Sequence, residues 1–195
     1  MLKLIFDKVA SLIGLIVLMP VLIILWVLVK IKMPDGAPIF KQDRVGKNAT
    51  IFTIYKFRTM SNEQYTSSIS VSGQSRITKF GVILRKYKFD ELPELWNVLI
   101  GDMSLVGPRP DVPGYADSLL GEDRKILLLR PGITGEASLK YANEEELLSR
   151  VEDPKEYNNQ VIFPDKVRIN LNYYYHHNLY GDIKIILQTL FRKQL

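Results

Sequence analysis

The feature that most constrains this chain is an uncharged apolar run close to its N-terminus. From Val9 to Val29 there is no charged residue, and only Ser11, Gly14 and Pro20 interrupt the run. As an α-helix this segment would be about 30 Å long, which matches the hydrocarbon thickness of a bilayer. The run is too long for a secretory signal peptide, and no small-residue cleavage site follows it. The sequence therefore predicts a membrane-anchoring helix.

Two features bear on the path of this helix. Pro20 lies at its middle, where a proline removes a backbone hydrogen bond and kinks or breaks a helix at a cost of about 3 kcal/mol. Lys3 and Lys8 precede the run, and Lys30 and Lys32 follow it. The flanks therefore lack the charge asymmetry that orients a spanning helix. A single span and a re-entrant helix that bends at Pro20 both fit the residues.

The composition narrows the chemistry that the chain can perform. Its 195 residues suit one domain, or one domain plus an anchor. Cysteine is absent and there are two histidines, which excludes a thiolate nucleophile and gives little support to a Ser-His-Asp site. The net charge of +5 suits anionic headgroups or phosphorylated substrates. We expect no nucleic-acid partner, because no long basic run or RNA-binding signature is present.

Beyond the anchor, residues 33–195 are predicted to form an α+β domain that is mostly helical. Two β-branched and aromatic runs, starting at Ile39 and Ile51, flank Gly46 and predict a small β-hairpin. Lys56 and Arg58 share a face of its second strand. Residues 61–75 are predicted to be a polar loop. Hydrophobic spacing predicts helices over 77–88, 93–100, 118–129, 143–151, from 164 through the tyrosines at 173–175, and over 182–191.

The central stretch of the domain is LRKYKFDELPELWNVLIGDMSLVGPRP, residues 84–110. We expect Asp90 to be the N-cap of the helix that follows, which would also hold its carboxylate fixed and ionised, as a nucleophile requires. Asp90 and Glu91 are adjacent, and adjacent helical residues do not face each other. They are therefore poorly placed to flank one bond as a glycosidase pair does. They could divide the work, one at a reacting phosphorus and the other at a metal.

Cations surround these carboxylates in the sequence. Arg85, Lys86 and Lys88 precede them, and Arg109 lies between two prolines that pre-order its backbone. A carboxylate that attacks a diphosphate meets charge repulsion, so it needs cations near the phosphates, and carboxylate-bound Mg²⁺ is the usual one. Arginine also offers bidentate phosphate contacts.

Three segments of the chain strongly resemble the bacterial sugar transferase family. They are KFRTM, the 84–110 stretch and RPGITG. The resemblance covers nearly the whole chain and is closest to the small, monotopic phosphoglycosyl transferases of the PglC type. One departure is Glu94, where glutamine is expected in much of the family; Asp90, Glu91 and Pro93 are in place.

The resemblance implies a reaction and a set of site residues. A phosphosugar would move from a UDP-sugar to undecaprenyl phosphate, with release of UMP. Asp90 would be the nucleophile of a covalent intermediate, and Glu91 its acidic partner at Mg²⁺. The family tendency favours an N-acetylated sugar, and the PglC likeness favours diacetylbacillosamine and a role in protein glycosylation. The residues implied in substrate binding are Lys56, Arg58, Arg85, Arg109, Arg130, Asp165 and Tyr173.

The resemblance also implies where the protein works. Residues 1–32 would form a re-entrant helix broken near Pro20. Residues 33–195 would form a catalytic domain on the cytoplasmic face of the bacterial inner membrane, with short amphipathic helices against the phospholipids. Two alternatives stay open: a single displacement in which Asp90 is a base or metal ligand, and a membrane-anchored binding protein without catalysis.

Overall fold

The apolar run forms the first helix of the computed structural model, which describes residues 2–61 and 77–191. This helix, α1, spans Leu2–Lys32 and has 31 residues, so it is about 46 Å long. Pro20 lies inside it and helical backbone continues on both sides, so the proline does not end the helix. The predicted re-entrant path stays a prediction. The predicted polar loop, apart from Ser61, lies outside the described residues.

Helix α1 packs on the rest of the molecule at both ends and near Gly14, which lies against Leu95, while most of its middle is exposed. Most of its large apolar side chains are open to the surroundings, and by length and composition it is the one helix in residues 2–61 and 77–191 that could cross a membrane. Near its start, Lys3 Nζ lies 2.6 Å from Asp182 Oδ2. Near its end, Val29 is buried in a cluster that includes Phe57 and Leu84. Both ends therefore pack on the rest of the molecule.

The predicted β-hairpin is confirmed. Strand β1, Ile39–Val45, pairs antiparallel with β2, Ile51–Phe57, and Ile39 lies opposite Phe57. A 3-10 turn over Lys47–Ala49 connects the strands.

Helices make up most of the remaining described chain, which confirms the predicted α+β class. Two of the predictions are refined: residues 118–129 hold 3-10 rather than α-helical turns, and the helix at Pro164 follows a shorter helix and a π-helical turn. The α-helices are α2 Lys79–Lys86, α3 Glu94–Ile100, α4 Glu136–Lys140, α5 Glu144–Ser149, α6 Pro154–Tyr157, α7 Phe163–His176 and α8 Leu179–Leu190. The other turns are 3-10 at Phe89–Glu91, Ala116–Ser118 and Asp123–Leu128, and π-helical at Asn158–Ile162.

A second, parallel pair of strands was not expected from the sequence. Strand β3, Ser104–Val106, pairs with β4, Gly132–Thr134. The backbones approach so closely that a Cβ on Gly132 would lie 2.1 Å from Gly107 N. A Cβ on Gly135 would lie 2.4 Å from Gly107 O. The GPRP and RPGITG segments are therefore two halves of one structure, and their glycines are required by this contact.

A buried asparagine fixes the hairpin to α3. The Asn97 side chain donates to Thr53 O at 2.8 Å and accepts from Tyr55 N at 3.2 Å. Asn97 has no exposed surface, so these bonds replace water on the free edge of β2. The contact sets the position of Lys56, the next residue, relative to the residues just before α3.

Candidate active site

Asp90 and Glu91 lie in the 3-10 turn between α2 and α3. The turn follows Lys88, whose φ of 57° is left-handed and uncommon for a residue with a side chain. Pro93, not Asp90, is the N-cap of α3, and no Asp90 side-chain cap bond is made. The predicted capping role is therefore wrong, because the turn separates Asp90 from the helix. Both carboxylates are instead buried, each 8% exposed.

Glu91 is the junction of three chain segments. Its Oε1 atom lies 3.0 Å from Lys56 Nζ on the hairpin and 2.5 Å from Arg109 Nη2 in the loop after β3. Burial alone would raise the pKa of Glu91, but Arg109 and Lys56 outweigh it and hold the pKa well below its usual value. Glu91 is therefore a fixed anion. The Arg109 side chain is still 41% exposed, so part of its guanidinium can meet a ligand.

Asp90 is in the opposite electrostatic situation. Burial, and then the negative charge of Glu91, raise its pKa, while Lys56, Lys88 and Arg85 oppose the rise. Its Oδ1 atom is buried and makes no hydrogen bond within the described chain. An ionised oxygen without donors is a stronger nucleophile and a costlier group to bury than a bonded one. The pKa of Asp90 is thus raised and that of the adjacent Glu91 lowered. Such a difference is typical of carboxylate pairs that have different catalytic roles.

Glu94 is a third buried acid, and it was not predicted to be part of the site. Its carboxylate lies 2.9 Å from Lys56 Nζ and is 1% exposed. Burial raises its pKa, with Lys56 opposing and Glu91 adding to the rise. Lys56 is therefore shared between two acids. The only signal in the sequence was the departure at this position from the family pattern.

The hairpin also holds the loop that carries Arg109. Arg44 donates to Pro110 O at 3.1 Å, and Val45 N donates to Asp111 O at 2.9 Å. Burial raises the pKa of Asp111 to about 6, against the opposing effect of Lys166, Arg44 and Arg109. The sequence does not predict that Arg44 and Asp111 belong to the site, because contacts between positions more than 60 residues apart leave no local pattern.

Three arginines implied in phosphate binding have protein partners in the structure. The Arg58 guanidinium is buried and donates to the carbonyl oxygens of Met33 and Gly36. Arg85 pairs with Glu145 at 2.8 Å, and Arg130 donates to Gly101 O at 2.9 Å. Among the described contacts, none of the three bonds to Glu91. Their roles in phosphate binding stay predictions.

Two C-terminal candidates lie outside the Glu91 junction. Asp165 accepts hydrogen bonds from Lys140, Tyr141 and Arg168, all at 2.6 Å, and these bonds lower its pKa. Tyr173 is 5% exposed, and its hydroxyl donates to Asp182. Burial, together with this bond, raises the Tyr173 pKa. These contacts give Tyr173 a structural role, and its predicted part in substrate binding stays a prediction.

Asp90 and Glu91 are the acids of the site that could bind Mg²⁺. The described part of the chain has no group of three or more His, Cys, Asp or Glu residues that could hold a metal by themselves. Mg²⁺ sites that act on phosphates commonly use one or two carboxylates and complete the shell with phosphate oxygens and water. Glu91 and the unbonded Oδ1 of Asp90 fit such a shared site.

An apolar groove lies along α1. It has a volume of about 400 Å³ and is lined by side chains that include Leu22 and Trp26 of α1, Tyr55 of β2, and Pro93 and Trp96. Tyr55 adjoins Lys56 in sequence, and Pro93 is three residues from Asp90. Asp90, Glu91, Lys56 and Arg109 are not among the residues that line the groove.

Comparison with known proteins agrees with these motifs. The family model described as bacterial sugar transferase matches residues 1–193. The chain is 34% identical over 194 residues to the UDP-N-acetylgalactosamine-undecaprenyl-phosphate N-acetylgalactosaminephosphotransferase of Aeromonas hydrophila, a match that covers 94% of the chain and 41% of that protein. It is 40% identical over 148 residues to the exopolysaccharide production protein PSS of Rhizobium leguminosarum bv. phaseoli, covering 71% of the chain and 74% of that protein.

A third relative has a different sugar in its name. The chain is 31% identical over 192 residues to the UDP-glucose:undecaprenyl-phosphate glucose-1-phosphate transferase of Escherichia coli, which covers 95% of the chain and 39% of that protein. The chain thus spans about two fifths of the length of the Aeromonas and Escherichia proteins.

The buried, unbonded carboxylate of Asp90 leads to a prediction about stability. Replacing Asp90 with Asn should stabilise the fold at neutral pH by about 1 kcal/mol, because a desolvated charge is removed. The stabilisation of the variant relative to wild type should be complete at pH values above the raised pKa of folded Asp90. It should disappear as the pH falls through that pKa, because the folded wild type then carries a proton on Asp90. Thermal unfolding in detergent from pH 4 to 8 measures it.

The matched control is Asp43→Asn, since Asp43 is exposed and accepts one hydrogen bond, from Thr53. It should change the unfolding temperature little at any pH in this range. A loss of stability in Asp90→Asn at pH 7 would contradict the prediction.

Proposed function

Because the chain belongs to the bacterial sugar transferase family, we propose that it is a membrane-anchored phosphoglycosyl transferase. It transfers a phosphosugar from a UDP-sugar to undecaprenyl phosphate and releases UMP. The observation that carries the proposal is the pair of adjacent acids in opposite states: Glu91, fixed by Lys56 and Arg109, and Asp90, with an oxygen that no described residue binds. Relatives named for transfer to undecaprenyl phosphate support the acceptor.

The proposed chemistry is a double displacement at the phosphorus attached to the sugar. An Asp90 oxygen attacks this phosphorus, an O–P bond forms, and the P–O bond to UMP breaks with its electron pair leaving on UMP. A phosphate oxygen of the lipid then attacks the same phosphorus and releases Asp90 as a carboxylate. The products are UMP and undecaprenyl-diphospho-sugar, and no external acid or redox partner is needed.

The cations at Glu91 prepare the site for this reaction. The diphosphate of the donor is strongly anionic, and a carboxylate approaching it is repelled. Arg109, anchored by Glu91 yet 41% exposed, supplies donors that match phosphate oxygens. Lys56, held between Glu91 and Glu94, adds positive charge beside Asp90. Together they lower the cost of bringing Asp90 to the phosphorus.

We propose Mg²⁺ as the cofactor, held by Glu91 together with donor phosphate oxygens. The bound ion would neutralise charge on the diphosphate and on the departing UMP. Glu91 can serve in this way because it stays ionised under the influence of Arg109 and Lys56.

The relatives are named for N-acetylgalactosamine and for glucose, so the family accepts different sugars. An N-acetylated sugar, with diacetylbacillosamine as one candidate, stays our hypothesis. A panel of UDP-sugars is the direct way to decide it.

The protein is proposed to be monotopic, with α1 entering and leaving the cytoplasmic face of the inner membrane. Two observations support this. Lys3 and Val29, near opposite ends of α1, both contact the same domain, and a bend at Pro20 within the helix would let both ends lie on one face of the membrane. The apolar middle of α1 is exposed, as a lipid-facing surface would be. Residues 1–32 would be the anchor and 33–195 the catalytic domain.

We expect purified protein with undecaprenyl phosphate, Mg²⁺ and a UDP-sugar panel to release UMP with at least one sugar. Asp90→Asn should reduce the rate by at least about 1000-fold, since the nucleophile is lost, and Asp43→Asn should keep it. EDTA should stop release, and added Mg²⁺ should restore it. Release that persists unchanged in Asp90→Asn would refute the nucleophile, and no release with any sugar would favour a non-catalytic binding protein.

The covalent step has its own test. Protein mixed with its UDP-sugar but no lipid, then quenched in acid, should gain the mass of one phosphosugar on the peptide that contains Asp90. Intact-protein and peptide mass spectrometry measure the adduct, and Asp90→Asn should not form it. Wild-type enzyme that turns over with lipid yet never carries the adduct would instead indicate a single displacement, with Asp90 as a base or metal ligand.

The topology can be tested because the chain has no native cysteine. We expect Leu2→Cys and Asp35→Cys to react with a membrane-impermeant maleimide only from the cytoplasmic side. Labelling of the two positions from opposite sides of inverted and right-side-out vesicles would establish a single span. The cysteine-free parent controls for background labelling.

A further inference from the structure

The first two turns of α1 enter a buried polar network that reaches the strand before Arg109. The network consists of Lys3, Asp7, Ser104, Tyr173 and Asp182, and we call it the helix-start network. Its two acids are almost fully buried, with Asp7 2% and Asp182 1% exposed. Buried carboxylates are costly unless they are bonded, so each should have partners.

Both acids have partners. The Asp7 carboxylate accepts from Ser104 Oγ at 2.7 Å and from the backbone N–H of Leu105 at 3.3 Å. Asp182 accepts from Lys3 Nζ at 2.6 Å and from the Tyr173 hydroxyl. The Lys3–Asp182 pair joins residues that are 179 positions apart. Helix α1 is therefore bound to both β3 and the C-terminal helices.

The network surrounds the end of β3. Ser104 Oγ lies 2.9 Å and the Tyr173 hydroxyl oxygen 3.3 Å from Val106 O. On the opposite edge, β3 is already paired with β4. Asp7 bonds to Leu105 N, and thus occupies the edge that β4 leaves open. The strand is held on two sides, one of them by the membrane helix.

Arg109 follows this strand by three residues. Gly107 N donates to Thr134 O at 2.9 Å, and Gly132 N donates to Pro108 O at 2.7 Å. These bonds hold the backbone between Val106 and Arg109 in place. A shift of β3 would therefore move the Arg109 guanidinium relative to Glu91. Misplacement of a binding group by about 1 Å can cost 100-fold in rate.

We propose that Asp7 and Tyr173 are positioning residues for the donor-binding Arg109, so that docking of the start of α1 sets the affinity for the UDP-sugar. The proposal rests on the proposed function, in which Arg109 contacts the donor. It gives Tyr173 a role through β3 instead of the substrate contact expected from the family resemblance. It also makes the start of α1 part of the catalytic domain as well as part of the anchor.

The test is a double-mutant cycle on the Michaelis constant for the best UDP-sugar of the panel. Asp7→Ala should raise KM about tenfold and change kcat less than about threefold, because binding is lost more than chemistry. Arg109→Ala should raise KM about 30-fold through loss of a charged hydrogen bond. The double variant should match Arg109→Ala within about twofold, because Asp7 acts through Arg109.

Two further variants separate positioning from general damage. Asp7→Asn keeps an oxygen that can accept from Leu105 N, and should restore KM to within about threefold of wild type. Tyr173→Phe removes a single hydroxyl, and should raise KM in the same direction without adding to Arg109→Ala. This variant carries the test if Asp7→Ala fails to fold. Asp43→Ala is the control and should leave both constants unchanged.

The outcomes are distinguishable. Wild-type turnover with KM effects that multiply in the double variant would overturn the coupling while the proposed function stands. A fall in apparent kcat with an unchanged KM in all network variants would also overturn it, since unfolding lowers the amount of active enzyme and does not change KM. If wild-type protein releases no UMP from any UDP-sugar, the proposed function fails, and the coupling fails with it.

Discussion

The arrangement of the site depends on one buried carboxylate, that of Glu91. One of its oxygens forms ion pairs with two cations, Lys56 and Arg109. Lys56 comes from the hairpin and Arg109 from the loop that follows β3, so the ion pairs hold three separate chain segments together. Breaking a buried pair by removal of one partner typically costs about 3–5 kcal/mol, because the other charge is left unpaired. The same pairing keeps Glu91 ionised, leaves part of Arg109 exposed and places positive charge beside Asp90. Structure and electrostatics at the site therefore have a common origin.

Asp90 illustrates what this arrangement costs. Its pKa is raised by burial and by Glu91, and its Oδ1 atom has no donor in the described chain. Preceding it, Lys88 adopts a left-handed conformation that costs of order 1 kcal/mol or more for a residue with a side chain. Strain and unsatisfied charge of this kind persist only when the surrounding contacts fix them. Here the side-chain oxygen and NH2 group of Asn97 both bond to the neighbouring strand and so hold the helix that follows this turn.

Much of the fold, but less of the site, could be predicted from the sequence. The hairpin and the amphipathic helices follow from local periodicity, and local patterns carry that information. The parallel strands β3 and β4 have three residues each, too few to show a period, and the left-handed Lys88 has no glycine to mark it. The resemblance identified the residues that meet at Glu91. It could not indicate that Arg58 would be directed to the carbonyl oxygens of Met33 and Gly36, since such contacts are decided by distant packing.

The contacts of α1 also impose an order on synthesis and folding. The apolar helix is synthesised before the segments that pack on it: the partner of Asp7 is made 97 residues later and that of Lys3 179 residues later. Until then the acid at position 7 remains hydrated at the membrane surface, because burial without partners is unfavourable. Contacts with such large sequence separation form late and slow the completion of a fold. If α1 is the membrane anchor proposed above, its insertion would precede packing of the rest of the chain on it, and a nascent chain truncated before α8 would lack the partner of Lys3.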